Sequence, residues 1–409
     1  MAGTSALRIG SFAPGVDNRL ERSQLESVNA MRQRLQALSR GENIDIDDKG
    51  GIRRRSGFVP LTGEGAAHSL WGDGGPDGLC VLDGDLVRLV PLGWNLSVSL
   101  VREGIGANPV SCDRLPDGRI AWSDGVRLGA IREGVDGVLC APPLPVEPTY
   151  GLAAGGLAAG RYLVCATRLV DGIEGPATTP VQLEVPEGSA ITVSGLPGSR
   201  VRLYLSACNG ADPLFQFETT AEVETLFSAA LDGIRCQTLR LAAMPPGRIV
   251  RHFNGRLLIA SGRFLLFSEP FMPGLYAPGE SFVPFPADIT VVRPVAGGVY
   301  IVADQTYWMS NVAAGALTPV LPYGAVAHSD CVRPDLKQAC WLSDRGLILA
   351  DGQGGAKNVQ EERLSLAGGA AGATVLREKN GGAHVITTRT GALPDLNPAD
   401  GYLAALTHR

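Results

Sequence analysis

The side chains best able to do chemistry are few and scattered. Eight cysteines stand at 80, 112, 140, 165, 208, 236, 331 and 340, and five histidines at 68, 252, 328, 384 and 408. No two cysteines form C-x-x-C, and no histidines share ligand spacing, so neither a zinc site nor a dithiol redox motif is written in the chain. Most cysteines sit in apolar runs such as LCVLD and YLVCAT, which reads as buried, reduced thiols. His68 and His328 open similar stretches, AHSL and AHSD, as a shared position in a repeat would produce. A G-x-S-x-G elbow, an H-E-x-x-H and a phosphate loop are absent, and GGAAGA at 368–373 lacks the lysine a phosphate cradle needs. AWSDGVRL and WLSDRGLI approach the Asp-box of sialidase-type propellers. Their aspartate follows serine directly, however, and hairpin turns account for both. Carboxylates abound, but sequence places no pair across a glycosidic bond. The expectation is a protein that is not an enzyme and uses no metal or cofactor.

The elements around these residues repeat. NGRLLIASGRFLLF, from Asn254, is strand, Ser261-Gly262 turn, strand. Similar text begins at Asp77, Asp117, Gly297, Lys337 and Asn380. With Gly78, Gly118, Gly255, Gly298, Ala339 and Gly382 as markers, the spacings are 40, 137, 43, 41 and 43 residues. PVSCDRL, RIVRHF, ITVVRPV, VAHSDCV and ATVLREK each supply a further strand just before a marker. A period of this size, with about four strands per unit, predicts a β-propeller of about six blades. One blade cannot cover both of its faces, so neighbours must do so.

The totals agree. The chain has 409 residues, 45% of them apolar, with 53 glycines, 28 prolines and only 6% aromatics, a balance of short strands and many turns. A net charge of −5 argues against tight wrapping of nucleic acid, though not against a channel through which DNA slides. MAGTSALRIGSFAPG has no apolar core of a secretory signal, and no run is long and apolar enough for a membrane span, so folding in a reducing cytoplasm is expected.

The long spacing holds an insertion, giving four regions: an N-terminal arm at 1–60, a first propeller part at 61–141, an inserted domain at 142–246 and a second propeller part at 247–409. CAPPLPVEPTYG is a Pro-rich hinge, with AAMPPG its counterpart. Between them, short strands spaced by Gly/Pro turns suggest an immunoglobulin- or fibronectin-like β-sandwich. In the arm, Leu20, Val28, Met31, Leu35 and Leu38 recur at mostly 3–4 spacing and predict a helix over 19–40. Its start lies at Asp17 or at a Ser23/Glu26 capping box, and Gly41 follows it. The stripe packs either on the protein's own core or on a partner subunit. Arg53, Arg54 and Arg55 form a basic patch, read as a solvated strand end or as salt bridges across a subunit interface. Leu20, Val28, Met31, Leu35 and these three arginines are the candidate interface residues.

SFAPGVDNR followed by ENIDIDDKGGIRRRSGF resembles the N-terminal pattern of tail nozzle, or tail tubular, proteins of short-tailed bacteriophages. Asn43, Ile44, Asp45, Ile46, Gly51, Ile52, Arg53, Arg54, Arg55 and Gly57 carry the likeness. GRYLVCATRLVDGIEGPATTPVQLEV, with G-x-E-G-P between two strands, is similar to the fibronectin-like insert of that family. The resemblance implies a virion structural protein: a ring of six copies (a homohexamer) below the tail adaptor. The ring surrounds the channel that retains the genome and guides it during ejection. DNA would be passing cargo, and tail fibres a possible partner of the insert. Channel-lining residues cannot be read from sequence. A virion-associated propeller that binds or cleaves carbohydrate is the alternative. A generic WD-type scaffold is disfavoured by the missing G-H…W-D signature.

Overall fold

Four hairpins close through two residues that both have positive φ, between 47° and 89°: Asp83-Gly84, Glu133-Gly134, Asp171-Gly172 and Asn254-Gly255. Their flanking residues pair directly, Leu82 with Asp85, Arg132 with Val135, Val170 with Ile173 and Phe253 with Arg256. This is the turn whose twist matches that of two antiparallel strands, and a following glycine adopts it without steric cost. The turn expected at Ser261-Gly262 falls one residue later. Ser261 still pairs with Phe264, and Gly262-Arg263 is the loop.

The computed structural model describes residues 11–14, 16–17, 19–20, 24–38, 44–46, 49–54, 66–75, 78–92, 95–361, 369–379, 382–390 and 406–408. The protein is all-β, and no α-helix occurs among the described residues. It divides into two units, residues 65–284 and residues 1–64 with 285–409.

Residues 65–284 hold three four-stranded antiparallel meanders. The first runs through Ala67–Gly72, Gly78–Leu82, Asp85–Leu92 and Asn95–Arg102. The second runs through Ser111–Arg114, Ile120–Ser123, Leu128–Arg132 and Val135–Gly137. The third runs through Ile249–Phe253, Arg256–Ser261, Phe264–Phe267 and Phe282–Pro284. The other unit holds a fourth (Val291–Val295, Gly298–Val302, Thr306–Met309, Thr318–Leu321) and a fifth (Cys331–Val332, Gln338–Ser343, Gly346–Asp351, Ala356–Asn358). A sixth sheet has three strands, Ala371–Lys379, Gly382–Thr390 and Leu406–His408. Each of the six markers lies in, or within two residues of, the second strand of its sheet.

Alternation along those second strands explains how the sheets stack. Trp122 joins Leu79, Val81, Leu86, Cys112 and Ile131 in a core shared with the first meander, while its neighbour Ala121 joins Val250, Leu257 and Ile259 of the third. In the other unit Trp341 packs with Tyr300 and Val302 of the fourth meander, and its neighbour Cys340 packs with Val385 of the sixth sheet. Successive side chains of a strand point to opposite faces, so one strand fills two cores. The architecture is propeller-like in this sense: small sheets cover one another face to face.

Between the second and third meanders in sequence stand two further sheets. One pairs Thr149–Leu157, Ser189–Ser194 and Val223–Leu226. The other joins Ile173–Glu174, Gly160–Val170, Val201–Ser206 and Pro213–Thr219, with Val181–Val185 also on Gly160–Val170. Leu157, Ile191, Val193 and Leu226 of the first share a buried core with Val164, Ala166, Val201, Leu203 and Leu205 of the second. The Pro-rich stretches at the root of these sheets are packed. The Gly274 carbonyl accepts from the Met244 N–H at 2.8 Å and from the Cys140 thiol at 3.1 Å. A Cβ on Gly175 would meet the Ala141 carbonyl oxygen at 2.4 Å, so only glycine fits there.

The predicted helix over 19–40 is not formed. Glu26–Val28 and Arg34–Gln36 pair as a hairpin instead, with Ser27 opposite Leu35 and Val28 opposite Arg34. The Asn29 side-chain oxygen accepts from the N–H groups of Met31 (3.0 Å) and Gln33 (2.9 Å), and Arg32 has φ 58°. A short polar side chain that captures the backbone in this way favours a turn over a helix. The spacing of Leu20, Val28 and Met31 gives no buried face either, since they are 40%, 65% and 80% exposed, and a helix without a buried face has little to hold it. Asp17 does accept from the N–H groups of Arg19 and Leu20, a cap with no α-helix following it among the described residues.

Candidate functional site

Two places gather the residues that sequence singled out. The first is the N-terminal double hairpin. Ile44–Ile46 pairs with Ile52–Arg54, placing Asp45 opposite Arg53 and Ile44 opposite Arg54. Segment 11–13 straps this hairpin to the one carrying Val28 and Leu35. The Ser11 N–H donates to the Arg34 carbonyl (3.0 Å) and its carbonyl accepts from Gln36 (2.8 Å), while the Phe12 N–H donates to Gly50 (3.0 Å) and the Ser11 hydroxyl to the Lys49 carbonyl (2.9 Å). Gly50 is buried with φ +78°, and a Cβ there would lie 1.9 Å from Ser11 Oγ. Val28, Met31, Ile52, Arg53 and Arg54 are all exposed, and Leu35 is half-buried beside Ser11. Leu20 is exposed beyond the Asp17 cap. Arg55, Asn43 and Gly57 lie outside the described residues.

The second place is the seam where first strands meet. In residues 65–284 the strand Ser111–Arg114 lies beside Ala67–Gly72 and Ile249–Phe253. In the other unit Cys331–Val332 lies beside Val291–Val295 and Ala371–Lys379. Polar side chains stitch each seam. Ser111 Oγ accepts from the Val250 N–H (3.0 Å) and from Arg251 Nη1 (2.9 Å), and Asp113 Oδ2 accepts from the His252 N–H (2.6 Å). Arg293 donates through Nε (2.7 Å) and Nη2 to Asp330 Oδ2, an ion pair with side chains only 15% and 3% exposed. Arg114 pairs with Asp73, and Arg333 with Asp335. Arg114, Arg251, Arg293 and Arg333 are therefore matched locally by acids or hydroxyls.

His252 Nε2 accepts from the Gly255 N–H (3.2 Å), which assigns the ring proton to Nδ1. Burial holds this histidine below its ordinary value, against the pull of Asp113 and Asp117. Burial pushes the Cys112 thiol up to about 12, so it stays protonated. The two Ser-Asp turns are structural. Ser123 Oγ donates to the Arg127 carbonyl (2.7 Å) and Ser343 Oγ to that of Gly346 (2.8 Å). Burial raises Asp124, but hydrogen bonds from the Arg127 and Val126 N–H groups and the Arg127 guanidinium outweigh it and hold the carboxyl below the usual range. A groove of about 350 Å³ runs past Arg102, Trp122, Arg127 and Asp136. There Trp122 Nε1 (2.8 Å) and Arg102 Nη1 (2.7 Å) both donate to the Asp136 carboxylate.

Sequence reasoning passed over Glu174, the acid of G-x-E-G-P. Its Oε1 accepts from the Thr167 and Tyr204 hydroxyls, each at 2.6 Å, and its Oε2 from Arg202 Nη1 at 3.1 Å. The motif itself was the available signal, with Asp171-Gly172 for the turn and Gly175 for the close approach to Ala141.

No family model matches the chain, and no curated protein does. Among solved structures, BBS1N in complex with ARL6DN is 11% identical, with 82% of this chain and 91% of that chain covered and a TM-score of 0.31. The C-terminal WD40 domain of Sif2 is 12% identical over 84% of each chain, TM-score 0.34. Sqt1 of Saccharomyces cerevisiae is 10% identical over 77% of this chain and 90% of that one, TM-score 0.26. At such scores these likenesses carry no argument about this chain.

Proposed function

We propose that the chain is a structural component of a short-tailed bacteriophage tail. In this reading the six sheets are the blades of a β-propeller, the sheets within 142–246 form an immunoglobulin- or fibronectin-like insert, and copies assemble as a nozzle-like ring, a hexamer, around the DNA channel. The carrying observation is the seam: first strand packs beside first strand through three successive sheets in each unit, as blades do around an axis. The N-I-D-I…G-I-R-R-R-x-G pattern supports the choice of family, and its described part forms one strapped hairpin whose second strand, Ile52–Arg54, is exposed. Locally neutralised arginines and a net charge of −5 suit a lining that lets phosphates pass without gripping them. Partners are other copies of the chain, the tail adaptor and, through the insert, tail fibres. The protein is made in the host cytoplasm and resides in the virion.

Electron cryo-microscopy of virions containing this protein, without imposed tail symmetry, tests the reading. A ring of propellers around DNA-bearing density is expected, and gives the copy number. Density on peripheral appendages would favour a glycan-binding role, and absence from particles would end the proposal.

A further inference from the structure

Cys331 and Cys340 face each other across the first two strands of the fifth meander. They are directly opposed in register, and their Sγ atoms are 3.1 Å apart. Directly opposed antiparallel residues hold their Cβ atoms about 4.5–5.5 Å apart, close to the separation a disulfide spans. The sulfurs already point at one another, so little backbone movement separates the dithiol from a bridge. Cys340 is buried against Leu347 and Val385, whereas Cys331 is half-buried and open to a reagent. The other half-buried thiols point at carbonyls, Cys140 at Gly274 and Cys208 at Ala159.

We propose that Cys331 and Cys340 are an oxidisable dithiol, closed to a cross-strand disulfide by small-molecule disulfides of the glutathione type. The Cys331 thiolate attacks one sulfur of the reagent, breaking its S–S bond and releasing one reagent thiol. Cys340, losing its proton to solvent, then attacks Cys331 Sγ in the mixed disulfide and releases the second reagent thiol. Two protein S–H bonds are lost and one S–S bond forms. The reagent gains the two electrons and two protons. The adjacent Cys331 sulfur and burial push the Cys340 thiol above its ordinary range, so the second step is the slow one. The bridge would fasten the seam strand of this meander to its second strand.

The test is graded oxidation of the intact protein in glutathione buffers, then alkylation in denaturant, with and without reductant, and peptide mass spectrometry. Cleavage after Lys337 places the two cysteines on different peptides. The expected result is joint loss of alkylation at Cys331 and Cys340 and a reducible linked peptide, with Cys80 and Cys112 still alkylated. Cys340→Ser should turn the product into a glutathione adduct at Cys331. Persistent alkylation of both thiols in fully oxidised buffer, a stable glutathione adduct on Cys331 of the unaltered chain, or Cys340 bridged elsewhere would each overturn the proposal.

Discussion

Glu174 offers the sharpest test of how the sheet built on Gly160–Val170 is held. Its Oε1 is the acceptor for two hydroxyls, those of Thr167 and Tyr204, whose residues are 0% and 3% exposed. Replacing Glu174 by alanine strands both donors. A buried hydroxyl without a partner costs about 1–3 kcal/mol, so the pair costs about 2–6 kcal/mol. Glutamine keeps Oε1 for both hydroxyls and gives up only the contact of Oε2 with Arg202. That side chain is 33% exposed, and a partly solvated ion pair contributes about 1 kcal/mol or less. The readout is hydrogen exchange in peptides covering Gly160–Val170 and Val201–Ser206, where each 1.4 kcal/mol lost from the opening free energy is about tenfold in rate. Glu174→Ala should accelerate exchange by roughly 30-fold or more, and Glu174→Gln by less than about tenfold. Equal effects of the two variants would refute the reasoning, because the shared oxygen would then not be what matters.

Gly50→Ala should detach the strap of the N-terminal double hairpin. Positive φ and the clash with Ser11 Oγ together cost about 1–3 kcal/mol, seen as faster exchange at residues 11–13 with the Trp341 core unchanged. Asp124 gives an acid signature. Its carboxyl titrates lower in the folded than in the unfolded chain, so its stabilisation is complete above the ordinary aspartate value of about 4 and is lost as pH falls through the lower folded value. Asp124→Asn should flatten this part of the stability–pH curve in urea unfolding between pH 7 and pH 2, and an unchanged slope would count against the hydrogen bonds described.

The hairpins were legible because their information is local. Period-two alternation marks the strands, and Asn-Gly or Asp-Gly fixes the turn. The arm misled because apolar residues at 3–4 spacing do not by themselves make a helix, and Asn29 turns the chain before a second helical turn could form. The seam was invisible for a different reason. Ser111 and Val250 are brought together across 139 residues, and nothing near either position announces the other. The Cys331–Cys340 opposition follows from strand register, which a loop of unknown length hides. Glu174 lay inside a motif that was noticed, but its three partners lie on other strands, Thr167 on the preceding one and Arg202 and Tyr204 on Val201–Ser206.

The root of the inserted sheets has a mechanical consequence. Cys140 on the way in and Met244 on the way out both bond the carbonyl of Gly274, a residue of the third meander's long loop, and Gly175 of the insert itself sits against Ala141. Entry, exit and body thus meet at one point. A load applied to the insert would therefore pass, at Gly274, into the loop that joins the third meander's last two strands rather than into a swinging tether.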